Sequence, residues 1–403
     1  MFILPKTNNQ LPVIPDCQTC GALQKCKAPS QSWDHVKNPR KTVIVVDRPD
    51  SDVAKSLEFG EFKTLRALLD RVGGPSFAQF AIVPASACTE AGEGSWRHCL
   101  PLLSRQIKAI NPEKIIVFGN EAMQSISKWL WGEDAGLYDR WYGHQIPCRE
   151  LNAWICPVGY SRKLMNAEVS QLWAYRHMRS ALRLSGRPYT KPPQYAKQYT
   201  LSYDLNKTRI MLDMAKQSSI TAFDYETTGL KPEAFGHKII SCAVAWLQED
   251  NTPHCVSFMV TPDSTPYLVD YLKSPVPKIA ANLKFEERWS RQLLGTPVRS
   301  WCLDTVITAH MEDPGKTVAG LKFQAFARLG VPYYAGDVEP FFGSDGSNQL
   351  NQIHRVPTHK LLEYNALDSL SELDLGILQM TENGLSKKFY STNLEFLRCQ
   401  KKL

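Results

Sequence analysis

Three stretches of the chain place carboxylates at spacings that regular secondary structure turns into convergence. Residues 220–232 read ITAFDYETTGLKP. On a strand, side chains two apart leave the same face, so Asp224 and Glu226 emerge together at the end of an apolar run. Two carboxylates meeting there are costly to ionise unless a cation compensates them, and hard divalent ions that prefer oxygen, Mg²⁺ or Mn²⁺, meet that need. Residues 279–289 read IAANLKFEERW, with Asn282 and Glu286 at i and i+4, on one face of a helix. Residues 361–370 read LLEYNALDSL, where Tyr364 and Asp368 stand in the same relation, a phenol and a carboxylate projecting side by side. Each stretch alone has a bland account, a D-x-E pair at a strand end or an amphipathic helix with a half-buried tyrosine and a solvated aspartate. The three in this order are improbable by chance.

A second group of reactive residues lies in the front of the chain. Cys17 and Cys20 form a C-x-x-C pair, Cys26 follows, and Cys88 and Cys99 come together further on. A pair close in sequence and another far away, brought together by the fold, is how four thiolates cage an iron–sulfur cluster or a structural zinc. Cysteines also serve simply as small buried hydrophobes. With 11 Cys in a chain of ordinary intracellular composition, a disulfide framework is not expected.

The elements that must carry these residues can be read from periodicity. Strands at 41–46, 81–84 and 114–118 alternate with helices at 58–72, 95–110, 120–131 and 166–184, the rhythm of a parallel sheet covered by helices. Residues 185–204 hold three prolines and four tyrosines without periodicity and read as a semi-rigid linker. Beyond it a helix at 205–217, strands at 220–225, 238–245 and 254–259, and mostly helices from 267 onward predict a mixed sheet with helices around it. The fold class is therefore α/β with two domains, 1–184 and 205–403, which suits a length of 403 residues.

Composition sets the outer bounds. Hydrophobic residues at 43% and charged residues at 22% exclude disordered and collagen-like classes. Apolar runs are too short for a membrane-spanning helix or a signal segment, so a soluble, cytoplasmic protein without a membrane partner is expected. The net charge of +7 is unevenly spread: residues 1–205 carry +8 and the remainder −1. That asymmetry favours a polyanion-binding front and a back half that gathers carboxylates for another purpose; Arg97, Arg105, Lys108, Arg162 and Lys163 are candidates for phosphate contacts, with solvated surface the bland account of each.

The front region, about 12–184, resembles the iron–sulfur family of uracil-DNA glycosylases through VDRPD at 46–50, EFGEFKTLRALL at 58–69 and the Cys pair flanking SWRHC. The resemblance implies a 4Fe–4S cluster on Cys17, Cys20, Cys88 and Cys99, with Cys26 a possible substitute and zinc the alternative. The active-site texts of that family are degraded: VDRPD stands for GEAPG, and Cys156, Pro157 and Val158 stand for a His-Pro-Ser loop. Base excision is thus expected to be lost and DNA contact kept, with Asp47 a residual acid. An active uracil-DNA glycosylase with an attached nuclease is the rival expectation.

The back region, about 205–385, resembles the tyrosine subclass of the DEDD exonucleases, as in the proofreading domain of family A DNA polymerases, with a ribonuclease H-like fold. The connecting text WCLDTVITAHMEDPGKTVAGLKFQAFARLGV at 301–331 is similar to that of phage polymerases. The resemblance implies that Asp224, Glu226 and Asp368 hold one Mg²⁺ or Mn²⁺, that Asp224 with Glu286 holds a second, and that Tyr364 orients the attacking water. Glu286 stands where Asp is usual, with Glu287 beside it. Substrates would be single-stranded or frayed DNA 3′ ends. Since the chain stops at Leu403, short of a polymerase domain, it is expected to proofread in trans for a separately encoded DNA polymerase. A non-catalytic replisome scaffold is the other alternative.

Overall fold

The computed structural model describes residues 41–48, 60–73, 80–87, 94–132, 138–159, 168–190, 194–315, 317–344 and 348–385, with positions 20, 136 and 346. The chain divides into two compact units, Met1–Pro192 with Phe326–Pro332, and Pro193–Ala325 with Tyr333–Leu403.

In the first unit, β1 (Thr42–Val46), α1 (Gly60–Arg71), β2 (Ala81–Pro84), α2 (Trp96–Ile110), β3 (Lys114–Phe118) and α3 (Asn120–Leu130) follow the βαβ rhythm of the sequence. Then come β4 (Ile146–Cys148), β5 (Ala153–Pro157) and α4 (Glu168–Arg183). The sheet order is β2-β1-β3-β5-β4, with β1 parallel to β2 and β3, β3 parallel to β5, and β4 antiparallel at the edge. Central β1 reads TVIVV and is buried throughout, as a continuous apolar run in a helix-covered parallel sheet should be. The periodicity does not reveal β4 and β5. Both are short and contain proline, and Pro147 is tolerated because β4 lies at the edge of the sheet. Cys156 and Pro157 accordingly belong to a strand end rather than to a loop.

The second unit starts earlier than the periodicity indicates. Tyr199–Ser202, inside the stretch expected to be linker, forms β6, a parallel edge strand beside a later one. Four residues with a single buried side chain leave too short a pattern to recognise. The helix α5 (Leu205–Gln217) leads into an antiparallel meander of β7 (Thr221–Thr227), β8 (Ile239–Leu247) and β9 (Pro253–Met259). After α6 (Thr265–Lys273), β10 (Lys278–Ala280) adds parallel to β7. The chain continues through α7 (Lys284–Leu294), β11 (Trp301–Asp304), α8 (Thr305–Glu312), α9 (Leu321–Leu329) and α10 (Thr358–Glu382). The order β11-β10-β7-β8-β9-β6 is the mixed sheet expected, so the chain is α/β with one parallel-dominated sheet and one mixed sheet.

One face of the second sheet packs Phe223, Tyr225, Trp246, Phe258 and Trp289 into a large apolar core. The other face is covered by α10, which lies across β7, β8 and β9. Because side chains alternate, pinning Phe223 and Tyr225 into the core obliges Asp224 and Glu226 to face α10. No helix among the described residues is long and apolar enough to cross a membrane.

Candidate active site

The three carboxylates that sequence spacing brings forward meet in space. Ligand oxygens of Asp224, Glu226 and Asp368 all lie within 4.8 Å of one another. Strand β7 supplies two, opposite Ala243 and Ser241 of β8, and α10 supplies the third. The helix is clipped to the sheet by polar bonds. Asn365 Nδ2 donates to Asp224 Oδ2 at 2.7 Å, Ser241 Oγ donates to Asn365 Oδ1 at 3.0 Å, and Ser369 Oγ donates to the Ala243 carbonyl at 3.0 Å. Tyr364 and Asp368 share α10, one turn apart, and Tyr364 is buried beside Tyr334 and Phe342, with ring centroids at 5.9 and 5.4 Å.

Glu286 arrives from α7. Its carboxylate is buried and its Oε2 has no hydrogen-bond partner among the described residues, whereas Glu287 is fully engaged. Glu287 Oε2 accepts from Val298 N at 3.0 Å and Trp301 Nε1 at 2.9 Å, and its Oε1 accepts from Arg291 Nε at 2.6 Å. Of the two adjacent glutamates, Glu286 is the one left for the site. Asn282 does not share its helix face: it precedes the helix, exposed, with φ +65°. The cause is Asp304, which accepts from Asn282 N at 3.1 Å and Leu283 N at 2.9 Å while capping α8 through Val306 N and Ile307 N. One aspartate thereby sets where α7 begins and how Glu286 enters.

Burial and mutual repulsion set the electrostatics of the cluster. Burial, and then the neighbouring Asp368, push the Asp224 carboxyl up to about 8. Glu226 is raised well above the usual carboxylate range by burial and by Asp224 and Asp368, and Glu286 by burial and Asp224. A set of buried carboxylates that cannot all ionise, with a glutamate oxygen left unpartnered, fits divalent cations in donor chemistry and in placement. Tyr364 is raised by burial and by Asp368, so its phenol stays neutral and able to donate.

Four participants escaped the sequence reading. Lys322 on α9 forms an ion pair with Asp368 Oδ1, and Tyr334 donates to the same oxygen. Asn365 holds Asp224, as described. Glu372 is buried one turn beyond Asp368, with Oε1 accepting from Ala281 N at 3.1 Å and Oε2 without a partner among the described residues. Its signal was present, since Tyr364, Asp368 and Glu372 repeat at i+4 along one helix.

In the first unit the carboxyl ends of β1 and β3 flank the point where strand order reverses, the usual place for a ligand crevice in such sheets. At these strand ends the protein's own groups bond to one another. Asp47 Oδ1 accepts from Ala122 N at 2.8 Å in the first turn of α3, and burial raises its carboxyl to about 6. Arg48 makes a two-pronged ion pair with Glu121, which also accepts from Ser86 Oγ at 3.4 Å. Cys156 is buried, its thiol pushed up to about 12 by burial. Cys17, Cys26 and Cys88 lie outside the described residues, as do Arg162 and Lys163. Cys20 is half-buried, and Cys99 is buried with its sulfur accepting from Ala87 N at 3.4 Å. The Arg97 guanidinium sits 4.5 Å from the Trp96 ring centroid, and Lys108 pairs with Glu150 at 3.3 Å.

No protein-family model and no curated protein sequence matches the chain. Solved structures show a distant likeness. NrnC of Brucella melitensis with bound Mg²⁺ is 18% identical over 48% of this chain and 85% of its own, at a TM-score of 0.33. Escherichia coli RNase D, an exoribonuclease, is 15% identical over 46% and 44%, at 0.35. The POL domain of Pol1 from M. smegmatis in complex with DNA primer-template and dNTP is 16% identical over 45% and 27%, at 0.32. Likenesses this distant bring no activity, substrate or partner with them.

Proposed function

We propose that the second unit is a metal-dependent 3′-5′ exonuclease of the DEDD type with a tyrosine in its third motif, releasing nucleoside monophosphates from DNA 3′ ends. The observation that carries this is the convergence of Asp224, Glu226 and Asp368 within 4.8 Å, on two elements far apart in sequence. Asp224, Glu226 and Asp368 would hold one Mg²⁺ or Mn²⁺, and Asp224 with Glu286 a second. Divalent ions there supply Lewis-acid activation of water and stabilisation of the departing 3′ oxygen. Tyr364, kept neutral by its surroundings, orients the water through its hydroxyl, and Phe342 and Tyr334 fix the ring that carries it. Asn365 holds Asp224 in register with the helix that brings Asp368.

The test is a 5′-labelled single strand incubated with Mg²⁺ and the purified chain. A ladder shortening from the 3′ end is expected, absent with a chelator and reduced at least about 10³-fold by Asp224→Asn. Undiminished activity of a clean Asp224→Asn preparation would remove the assignment, and an RNA strand of the same sequence run alongside decides between DNA and RNA.

The first unit is proposed as a DNA-gripping, glycosylase-like module without base excision, since VDRPD at 46–50 and Cys156 to Val158 depart from that family's active-site texts and Arg48 is engaged with Glu121. Its iron–sulfur cluster on Cys17, Cys20, Cys88 and Cys99 rests on the sequence resemblance; iron and zinc content of anaerobically purified protein distinguishes the two metals. Proofreading for a DNA polymerase, in a host cytoplasm, rests on the resemblance of the back region to the proofreading domain of family A polymerases, and a lower error rate for the polymerase with this protein than for the polymerase alone is its test.

A further inference from the structure

Lys322 is a charged group at the site that none of the three motifs contains. It stands at the second position of α9, and its Nζ is paired with Asp368 Oδ1, on one of the carboxylates of the converging triplet. The same ammonium lies 4.7 Å from the Tyr334 ring centroid and 4.4 Å from that of Tyr364, close enough for favourable cation–π contact with both. Tyr334 also donates to Asp368 Oδ1, so the two tyrosines and the aspartate form a cradle around a single positive charge.

A cation tied to a metal-ligand oxygen competes with any ion that needs that oxygen. A divalent ion held by Asp224, Glu226 and Asp368 repels an ammonium on Asp368, so the two cannot share the site without strain. The cradle offers the displaced ammonium an alternative: it can give up the carboxylate while keeping the faces of Tyr334 and Tyr364.

We propose that Lys322 is a positioning residue that serves as a tethered counter-ion, occupying the cation position on Asp368 in the metal-free protein and yielding it to the aromatic cradle when a divalent ion enters. The inference rests on the exonuclease reading of this site. Metal uptake and the movement of one lysine beside Tyr364 are then a single event, and the carboxylate cluster is never without a positive partner.

The test is titration of the full-length chain with Mn²⁺ by calorimetry, with thermal melts in the absence of metal, for wild type, Lys322→Met and Lys322→Arg. Lys322→Met keeps the side chain's length and removes its charge. It is expected to bind Mn²⁺ about tenfold more tightly than wild type, to melt lower without metal, and to gain more in melting temperature from Mn²⁺. Lys322→Arg restores a charge and is expected to return the affinity toward the wild-type value. Wild type that binds Mn²⁺ while Lys322→Met binds no tighter overturns the counter-ion role and leaves the metal-site reading intact. Wild type that binds no Mn²⁺ overturns both. Should Lys322→Met fail to fold, Lys322→Gln takes its place in the same titration: Mn²⁺ bound more tightly than by wild type supports the proposal, and an unchanged affinity overturns it.

Discussion

Glu286 and Glu287 are neighbours in sequence with opposite duties, and the difference is measurable. Glu287 closes a local network with Val298 N, Trp301 Nε1 and Arg291, so Glu287→Gln should destabilise the second unit by about 1–3 kcal/mol while leaving activity per folded molecule intact. Glu286 sits buried with an unpartnered oxygen and a raised carboxyl. Glu286→Gln should therefore melt no lower than wild type yet lose about 10²-fold or more in single-turnover rate with Mg²⁺. Thermal melts and quenched-flow cleavage of the same samples check both. If Glu287→Gln rather than Glu286→Gln abolished cleavage, the second motif would have been assigned to the wrong carboxylate. The difference between the two was not legible in the text EERW, because what separates them is a pair of amide and indole donors more than ten residues away. Asp224, Glu226, Tyr364 and Asp368 were legible, since periods of two and of about four place each pair on one face without knowledge of the rest of the fold. Lys322, Tyr334 and Asn365 were not, because their roles depend on contacts across 46, 34 and 141 positions of sequence.

Among the elements, α10 decides whether the site exists at all. It runs for 25 residues, and its burial on most sides explains why no amphipathic stripe announces which face meets the sheet. Its seating on β10 depends on Gly376, where a Cβ would come within 2.7 Å of Ile279 Cδ1 and 3.0 Å of its Cγ2. Gly376→Ala should destabilise the unit by about 1–3 kcal/mol through overpacking, despite alanine's better helix propensity. Ile279→Val trims the methyl that alanine would meet, so the double variant should recover part of the loss. Additive losses in denaturant melts would show that the close approach is not what limits this position. Lys278, next along β10, is the counterpart at the strand's other side: its Nζ donates to the carbonyls of Ser274, Val276 and Arg299 at 2.9, 3.0 and 3.1 Å. A fully buried lysine reads from sequence as an exposed charge at a strand start, and only the ring of turn carbonyls around it explains why it is tolerated. The short β4, β5, β6, β10 and β11 share that illegibility, as their pairing partners rather than their own patterns make them strands.

For the whole molecule, the two units have separate electrostatic characters, and the first offers a clean measure of its own. Asp47 is committed to the first turn of α3 at the reversal point of the first sheet, and Gly119, at φ +131°, is required beside it because a Cβ there would fall 2.1 Å from Asp47 Oδ1. Burial raises its carboxyl from 3.8 to about 6, with bonds from Ala122 N and neighbouring amides pulling the other way. A carboxyl raised in the folded state binds its proton more tightly there than in the unfolded chain. Its contribution to stability is therefore complete below about 4 and is lost as pH rises through about 6, after which the folded protein carries the cost of a buried charge. That cost is about 2–3 kcal/mol above pH 6. Asp47→Asn keeps an oxygen to accept from Ala122 N and removes the charge. The variant should thus be more stable than wild type by about that amount at pH 7 to 8, and the gain should vanish toward pH 4 as wild-type Asp47 becomes neutral. Parallel denaturant titrations of the two proteins at half-unit pH intervals measure the difference directly, cancelling the titration of every group they share. A gain independent of pH would mean that the substitution acts through packing, and a loss at pH 7 would mean that the ionised carboxylate is needed by the α3 amides more than its burial disfavours it.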